Sequence, residues 1–202
     1  MKNIIIFGSS RSGKTELAKR LSKKLNYNIV MVDSLVSAFQ NSMPELEINH
    51  SNRDGKSINN LEPFLLAYLK SINKMDKKAR NINYVIEGSY FNFDKIIELQ
   101  EKFIVVILLS ELDSPKDYYD MLKEFDKPHD WTYNLSDEEL YKYCENLYSH
   151  NKYLLSKCNE NNIAYYNTAI NREDVLEKIL NDLKENLNDQ VPFKGIKINS
   201  NH

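Results

Sequence analysis

This chain of 202 residues has little glycine, cysteine or tryptophan, no strong excess of one charge and no long apolar run. Its 27 basic and 29 acidic side chains give a net charge of −2 without a basic block, which disfavours a nucleic-acid partner. No apolar run approaches the roughly 20 residues of a transmembrane helix, so we expect no membrane association. A length of 202 residues with 42% hydrophobic content fits one globular domain.

The only cysteines are Cys144 and Cys158, which lie on one predicted helix. They are too far apart along the helix axis to form a disulfide, and no His or Cys accompanies them at metal-ligand spacing. The first apolar stretch of the chain leads directly into a polar loop, which is unlike a signal peptide. We therefore expect reduced, partly buried thiols in a cytoplasmic protein.

Two of the five glycines fall in the segment GSSRSGKT at 8–15, directly after an apolar, β-branched run. This segment matches G-x-x-x-x-G-K-T, the pattern of a phosphate-binding loop at the start of a helix. Gly8 and Gly13 allow the backbone N–H groups to approach an anion, and Lys14 adds a charge that reaches the β- and γ-phosphates. The Thr15 hydroxyl suits Mg²⁺. The predicted nucleotide-binding residues of the loop are Gly8, Ser9, Ser10, Arg11, Ser12, Gly13, Lys14 and Thr15.

The rest of the chain alternates between strand-like and helix-like periodicity, which predicts a parallel sheet. The predicted strands lie near 3–7, 28–32, 82–87, 103–109 and 162–166. Two stretches break the alternation, 41–59 and 111–136, and we expect them to be the mobile, substrate-binding parts. We predict a single domain over 1–186 and a peripheral tail over 187–202.

Charged residues in these two stretches are candidates for phosphate recognition. Arg53 is favoured because the chain has only five arginines and a guanidinium suits phosphate. His50 alone is typical of a solvated surface. In 111–136 the cations are the lysines Lys116, Lys123 and Lys127.

Two carboxylates are predicted at the carboxyl ends of strands, where open α/β sheets bind their ligands. Asp33 follows the second strand, and Glu87 ends the third strand just before Gly88. Either one could accept a proton from an attacking hydroxyl or hold Mg²⁺. An alternative for Asp33 is a helix N-cap. Glu87 has no comparable structural role, because a carboxylate at the end of an apolar strand is costly without a partner.

The phosphate loop, Asp33, Ile86-Glu87-Gly88 and the lid-like segment 111–136 together resemble the nucleoside-monophosphate-kinase branch of the P-loop kinases. This resemblance covers about residues 1–186. It implies a three-layer α/β P-loop NTPase fold, with a five-stranded parallel sheet in the order 2-3-1-4-5 and a helical lid, that uses ATP and Mg²⁺. By position, it implies that Asp33 orients or deprotonates the acceptor and that Glu87 holds Mg²⁺. It also places Arg172 along the adenine base.

The chain departs from this resemblance in two ways that concern the acceptor. Adenylate-kinase-like lids supply arginines to the transferring phosphate, whereas 111–136 contains only lysines as its fixed cations. Glu87 is followed by Gly88-Ser89-Tyr90 and not by the Gly-Phe-Pro-Arg of that group. The acceptor therefore stays open among a nucleoside monophosphate, a sugar, a metabolite alcohol and an antibiotic hydroxyl.

The sequence favours an ATP- and Mg²⁺-dependent phosphotransferase with Lys14, Asp33, Glu87 and Arg53 in its catalytic site. The alternative is a nucleotide-binding regulatory protein that hydrolyses ATP or GTP slowly and acts on a protein partner. The tetrapeptide Asn73-Lys74-Met75-Asp76 matches the N-K-x-D guanine-reading pattern, but it follows a predicted helix and not a strand, so it gives little support for a GTP switch. The 13 tyrosines, with clusters at 118–119, 141–143 and 165–166, are a weaker signal for a partner surface, and we interpret them mainly as packing at the edge of the core.

Overall fold

A computed structural model describes residues 2–50, 55–76, 82–128 and 130–189, apart from the side chains of 75, 76, 188 and 189. The strands are β1 (Ile4–Gly8), β2 (Asn28–Met31), β3 (Tyr84–Gly88), β4 (Ile104–Leu109) and β5 (Tyr166–Asn167). The helices are α1 (Lys14–Leu25), α2 (Val32–Ser42), α3 (Lys56–Ser71), α4 (Phe93–Leu99), α5 (Pro115–Phe125), α6 (Asp137–Glu160) and α7 (Arg172–Asp189). A 3-10 turn at Pro44–Leu46 and a π turn at Ile72–Asp76 complete the assignment.

All five strands are parallel, in the order β2-β3-β1-β4-β5, so the predicted fold and strand order are confirmed. In the central strand β1, Ile4 pairs with Val85 and Ile104, and Phe7 with Gly88 and Ile107. Because the strands are parallel, their carboxyl ends share one edge of the sheet. The loops after β1, β2 and β3 therefore meet there.

Helices cover both faces of the sheet, because side chains of β1 alternate between two cores. Ile5 and Phe7 belong to a core that includes residues of α2, α3, α4 and α6. Ile4 and Ile6 belong to a second core, formed with α1 and α7. A third, smaller cluster around Tyr118 and Leu122 packs α5, which belongs to the lid segment 111–136, against α6.

Local sequence signals set the ends of the lid helices. Ser114 caps α5 by accepting a hydrogen bond from the Asp117 amide, with Pro115 as first residue. Ser136 and Glu139 form a capping box at the start of α6. Within the predicted lid, 115–125 is thus helical and the other described residues are irregular. Both cysteines are buried in α6 and form no disulfide. No helix among the described residues could span a membrane.

Three expected boundaries are wrong. The second strand ends at Met31, and Val32 begins α2, so Asp33 lies in the first turn of a helix and not at the end of a strand. The fifth strand is Tyr166–Asn167 and not 162–166. Helix α3 begins at Lys56, inside the segment 41–59 that was expected to be irregular.

Gly88 is needed because β3 passes very close to α2. A Cβ atom at Gly88 would lie 2.6 Å from Cβ of Val32, which is fully buried. We expect Gly88→Ala to lower the free energy of unfolding by about 1–3 kcal/mol through overpacking. Val32→Ala should relieve part of this loss, so the double variant should lose less than the sum of the single variants. Urea denaturation of the three variants measures this, and strictly additive losses would contradict the close packing.

Candidate functional site

The phosphate loop connects β1 to α1 and depends on a glycine at its first position. Gly8 has φ 146°, and a Cβ there would lie 1.8 Å from the carbonyl oxygen of Leu108 on the neighbouring strand. Gly13, with φ 84°, also has the left-handed backbone that favours glycine. The sequence pattern is therefore explained by the backbone of the loop itself.

Hydrogen bonds inside the loop fix its shape. The Ser12 hydroxyl donates to the Ser9 carbonyl at 2.8 Å, and the Lys14 ammonium donates to the same oxygen. Thr168, from the end of β5, donates to the Ser12 carbonyl at 3.0 Å. The Ser9 hydroxyl is buried and has no hydrogen-bond partner among the described residues. A buried hydroxyl without a partner is costly, and a phosphate oxygen at the loop would satisfy it.

Glu87 lies beside the first residues of α1, because β3 is the neighbour of β1. Its carboxylate accepts a hydrogen bond of 3.2 Å from the Thr15 hydroxyl, and the residue is only 3% exposed. Burial raises the pKa of Glu87, the nearby Lys14 charge opposes the rise, and the charge of Asp33 adds to it. The structure thus brings together four predicted site residues, Lys14, Thr15, Asp33 and Glu87.

The chemistry of these groups suits a small, hard cation. A hydroxyl and a carboxylate side by side offer the oxygen ligands that Mg²⁺ prefers, and Mg²⁺ commonly takes only one or two carboxylates together with substrate phosphates. Within the described ranges, no three His, Cys, Asp or Glu side chains form a metal cluster of their own. Thr15 and Glu87 are therefore the residues that could hold Mg²⁺ next to the loop.

Asp33 is exposed at the same edge of the sheet, in the first turn of α2. The strand is shorter than expected because the fully buried Val32 turns into the core against Gly88. The N-cap of α2 is Met31, and no side chain caps it, so the N-cap interpretation of Asp33 is wrong. The carboxylate is left at the helix start, within electrostatic range of Glu87.

A chain of polar side chains begins one turn after Asp33. Ser37 and His50 Nε2 lie 2.8 Å apart, and His50 Nδ1 lies 3.0 Å from the Tyr90 hydroxyl. These three side chains connect α2, the segment 41–59 and the loop after β3. His50 is therefore an organised, half-buried residue and not an isolated surface histidine.

The loop and the lid meet at Arg11. Its guanidinium pairs with Asp126 and Asp130 at 3.2 Å each and also donates to the Thr132 hydroxyl. Arg172, at the start of α7, donates to the Arg11 carbonyl at 2.9 Å. Burial lowers the pKa of Arg172, and the Arg11 charge lowers it further. Arg172 therefore packs along the loop, next to the position where a nucleotide is predicted.

The described contacts of the lid lysines are with residues of the lid and of α6, and not with the phosphate loop. Lys116 pairs with Asp120 of its own helix, and Lys123 pairs with Asp137 at 2.6 Å. Lys127 is exposed, and its backbone N–H donates to Asp130. The lid groups that contact the loop are thus two carboxylates and the Thr132 hydroxyl.

Comparison with known proteins identifies the architecture. No protein-family model matches this chain, and no curated protein sequence is significantly similar to it. Among solved structures, it is similar to shikimate kinase from Bacteroides thetaiotaomicron, with 17% identity and a TM-score of 0.50 over 93% of this chain and 98% of the other. A candidate kinase from Chloroflexus aurantiacus gives 12% identity and a TM-score of 0.51 over 94% and 98%. Deoxyadenosine kinase from M. mycoides gives 16% identity and a TM-score of 0.42 over 91% and 99%.

This is the P-loop kinase fold. At these identities the similarity concerns the fold, and it confirms the architecture that the sequence resemblance implied. The roles of individual residues in a P-loop kinase fold have to be argued from this chain's own side chains.

Sequence reasoning missed several residues of the site. One predicted residue lies in a part of the chain that the structure does not describe. Arg53 lies outside the described residues, so its predicted role stays a prediction. The residues that were not anticipated share one property, contact with a predicted site element across the fold: Ser37, Tyr90, Asp126, Asp130 and Thr132. Only Ser37 had a sequence signal, since it lies one helical turn after Asp33.

Proposed function

We propose that this chain is an ATP- and Mg²⁺-dependent phosphotransferase that moves the γ-phosphate to a small hydroxyl- or phosphate-bearing molecule. The observation that carries the proposal is the 3.2 Å contact between Thr15 and the buried Glu87, directly beside Lys14 of the phosphate loop. A structural carboxylate would not be expected at 3% exposure beside an anion-binding loop. A carboxylate that takes part in metal and phosphate chemistry would be expected there.

The loop and Lys14 bind and orient the triphosphate. The loop N–H groups at the start of α1 and the Lys14 ammonium favour the charge that redistributes over the phosphoryl group during transfer. Thr15 and Glu87 would hold Mg²⁺, which when bound neutralises the β- and γ-phosphate oxygens. Burial of this set raises the strength of each electrostatic interaction within it.

Asp33 is assigned to the acceptor. In the proposed step, the acceptor oxygen forms a bond to the γ-phosphorus while the bond from that phosphorus to the bridging oxygen of ADP breaks. The proton of an acceptor hydroxyl passes to the Asp33 carboxylate. Asp33 suits this role because it is exposed at the edge of the site, where a mobile acceptor can reach it, whereas Glu87 is buried.

We assign the acceptor side of the site to Ser37, His50 and Tyr90, whose linked hydroxyl and imidazole groups begin with the hydrogen bond from Ser37 to the Asp33 carbonyl. Such groups suit an acceptor with several hydrogen-bonding positions, such as a sugar or a polyhydroxylated metabolite. A nucleobase acceptor would call for an aromatic or apolar slot. We therefore rank hydroxyl-rich acceptors first.

The test is ADP release from MgATP, recorded alone and with pooled nucleosides, nucleoside monophosphates, sugars, hydroxylated metabolites and aminoglycosides. We expect one pool to raise the rate tenfold or more over the rate with MgATP alone. A slow rate that no pool accelerates would contradict the proposal and favour a nucleotide-dependent regulatory protein.

A further inference from the structure

Arg11 occupies a position of the phosphate loop where a side chain is strained. Its φ is 64°, a left-handed backbone conformation that glycine adopts without cost and a long side chain does not. Strained residues that persist in a structure cluster at functional sites. The guanidinium is therefore the feature of Arg11 to explain.

The guanidinium sits in a polar socket of the lid, which we define as Asp126, Asp130 and Thr132. One terminal nitrogen lies 3.2 Å from each carboxylate, and the other donates to Thr132. The Asp126 side chain is 7% exposed and that of Arg11 22%, so this is not a solvated surface pair. Thr132 is 1% exposed and in turn donates to Asp126, which fixes that carboxylate. The socket holds Arg11 in one orientation.

The charge of the lid makes this contact more than a structural link. Lys116 and Lys123 are engaged with carboxylates of the lid and of α6, so the side of the lid that meets the loop carries two acids. Two carboxylates next to a bound triphosphate would repel it unless a cation lies between them. Arg11 is that cation, because it belongs to the loop and is held by the lid.

We propose that Arg11 contacts the γ-phosphate and that Asp126 and Asp130 are positioning residues that orient its guanidinium from the lid. This rests on the proposed function. The arrangement reverses the one implied by the resemblance, in which the lid supplies arginine: here the loop supplies arginine and the lid supplies the acids that aim it. A guanidinium can serve both partners, because it carries five N–H donors in a planar fork.

The test compares the affinities for MgADP and for the Mg²⁺ complex of the β,γ-imido analogue of ATP, measured by titration calorimetry without any acceptor. We expect the unmodified protein to prefer the analogue, which carries the γ-phosphate. Arg11→Gly removes the guanidinium and suits the left-handed backbone, so it should fold, and we expect it to lose about tenfold of that preference. Arg11→Lys keeps the charge without the fork and should lose an intermediate amount.

The double variant Asp126→Asn/Asp130→Asn tests the positioning role. It should lose part of the preference for the γ-phosphate, and it should cause no further loss in the Arg11→Gly background, because both changes act through one side chain. Trp131, the only tryptophan, lies between Asp130 and Thr132 in the sequence and packs against Tyr143 with 4.9 Å between ring centroids. Its fluorescence therefore reports changes in the environment of the lid. Arg20→Gln is the matched control, since Arg20 is also an arginine paired with carboxylates, in its case three of them, on α1 and α7.

Each outcome distinguishes the two proposals. Binding of both nucleotides by Arg11→Gly with the unmodified preference would overturn the role of Arg11 and leave the phosphotransferase proposal in place. A further loss from the lid double variant in the Arg11→Gly background would overturn the positioning role. If the unmodified protein binds neither nucleotide, the proposed function fails and this inference fails with it.

Discussion

Replacing Lys14 with alanine should abolish turnover while the protein stays folded. The ammonium donates to the Ser9 carbonyl inside the loop and is only 8% exposed, so it faces the site and not the solvent. Loss of one preorganised donor to a developing phosphoryl charge typically costs about 10²–10³ in rate, and we expect the upper end because the group is also charged. The fold should tolerate the change, since alanine suits the first residue of α1.

Lys14→Ala has a second expected effect, on pH dependence. Burial raises the pKa of Glu87, and Lys14 is the main group that opposes the rise. Without Lys14, that pKa should rise further. The proposed role of Glu87 requires its ionised form. As the pH is lowered, any residual activity of Lys14→Ala should therefore fall at a higher pH than the activity of the unmodified protein.

The measurement is acceptor-stimulated ADP release across pH, with circular dichroism to confirm folding. Lys23→Ala is the matched control, because Lys23 is an exposed lysine in the last turn of the same helix. Normal turnover by a folded Lys14→Ala protein would contradict the assignment of the loop as the catalytic phosphate site.

The sheet and the loop could be predicted from sequence because their signals are local. A β-branched run followed by G-x-x-x-x-G-K-T determines β1, the loop and the start of α1 within a dozen residues. The fifth strand was misjudged for an equally local reason. Ile163 and Tyr165 alternate like strand residues and are buried, but they lie in the turn after α6, and pairing with β4 starts only at Tyr166.

The lid contact could not be predicted, because it joins residues more than a hundred positions apart. Arg11 and Asp130 are separated by 119 residues, and they meet only because α5 packs against α6 through the cluster around Tyr118. No periodicity in 126–132 marks these acids as partners of the loop. The same holds for His50, whose two ring nitrogens find partners on two other segments of the chain.

Replacing Asp33 with asparagine should abolish transfer to a hydroxyl acceptor while MgATP still binds. Asparagine keeps the size and polarity of the side chain but cannot take the acceptor's proton, and loss of a general base typically costs about 10²–10⁴ in rate. Nucleotide affinity should change little, because no loop residue is hydrogen-bonded to the Asp33 side chain among the described contacts. Asp94→Asn is the matched control: Asp94 is likewise the exposed second residue of its helix, α4.

Glu87→Gln separates the two carboxylates. If Glu87 holds Mg²⁺, its loss should raise the Mg²⁺ concentration needed for half-maximal rate, whereas Asp33→Asn should leave that concentration unchanged. Glu87→Gln should also be at least as stable as the unmodified protein at neutral pH. The raised pKa of Glu87 means that its protonated form stabilises the fold, and that this contribution is lost as the pH rises through the raised pKa.

Rate against Mg²⁺ concentration and thermal unfolding at pH 7 decide between the roles. Near-normal transfer by Asp33→Asn would remove Asp33 from the chemistry. A shifted Mg²⁺ requirement in Asp33→Asn together with an unshifted one in Glu87→Gln would exchange the two assignments. Replacing the buried carboxylate with a neutral amide removes the cost of burying a charge. If Glu87→Gln is nevertheless less stable than the unmodified protein, the contact between Glu87 and Thr15 stabilises the fold.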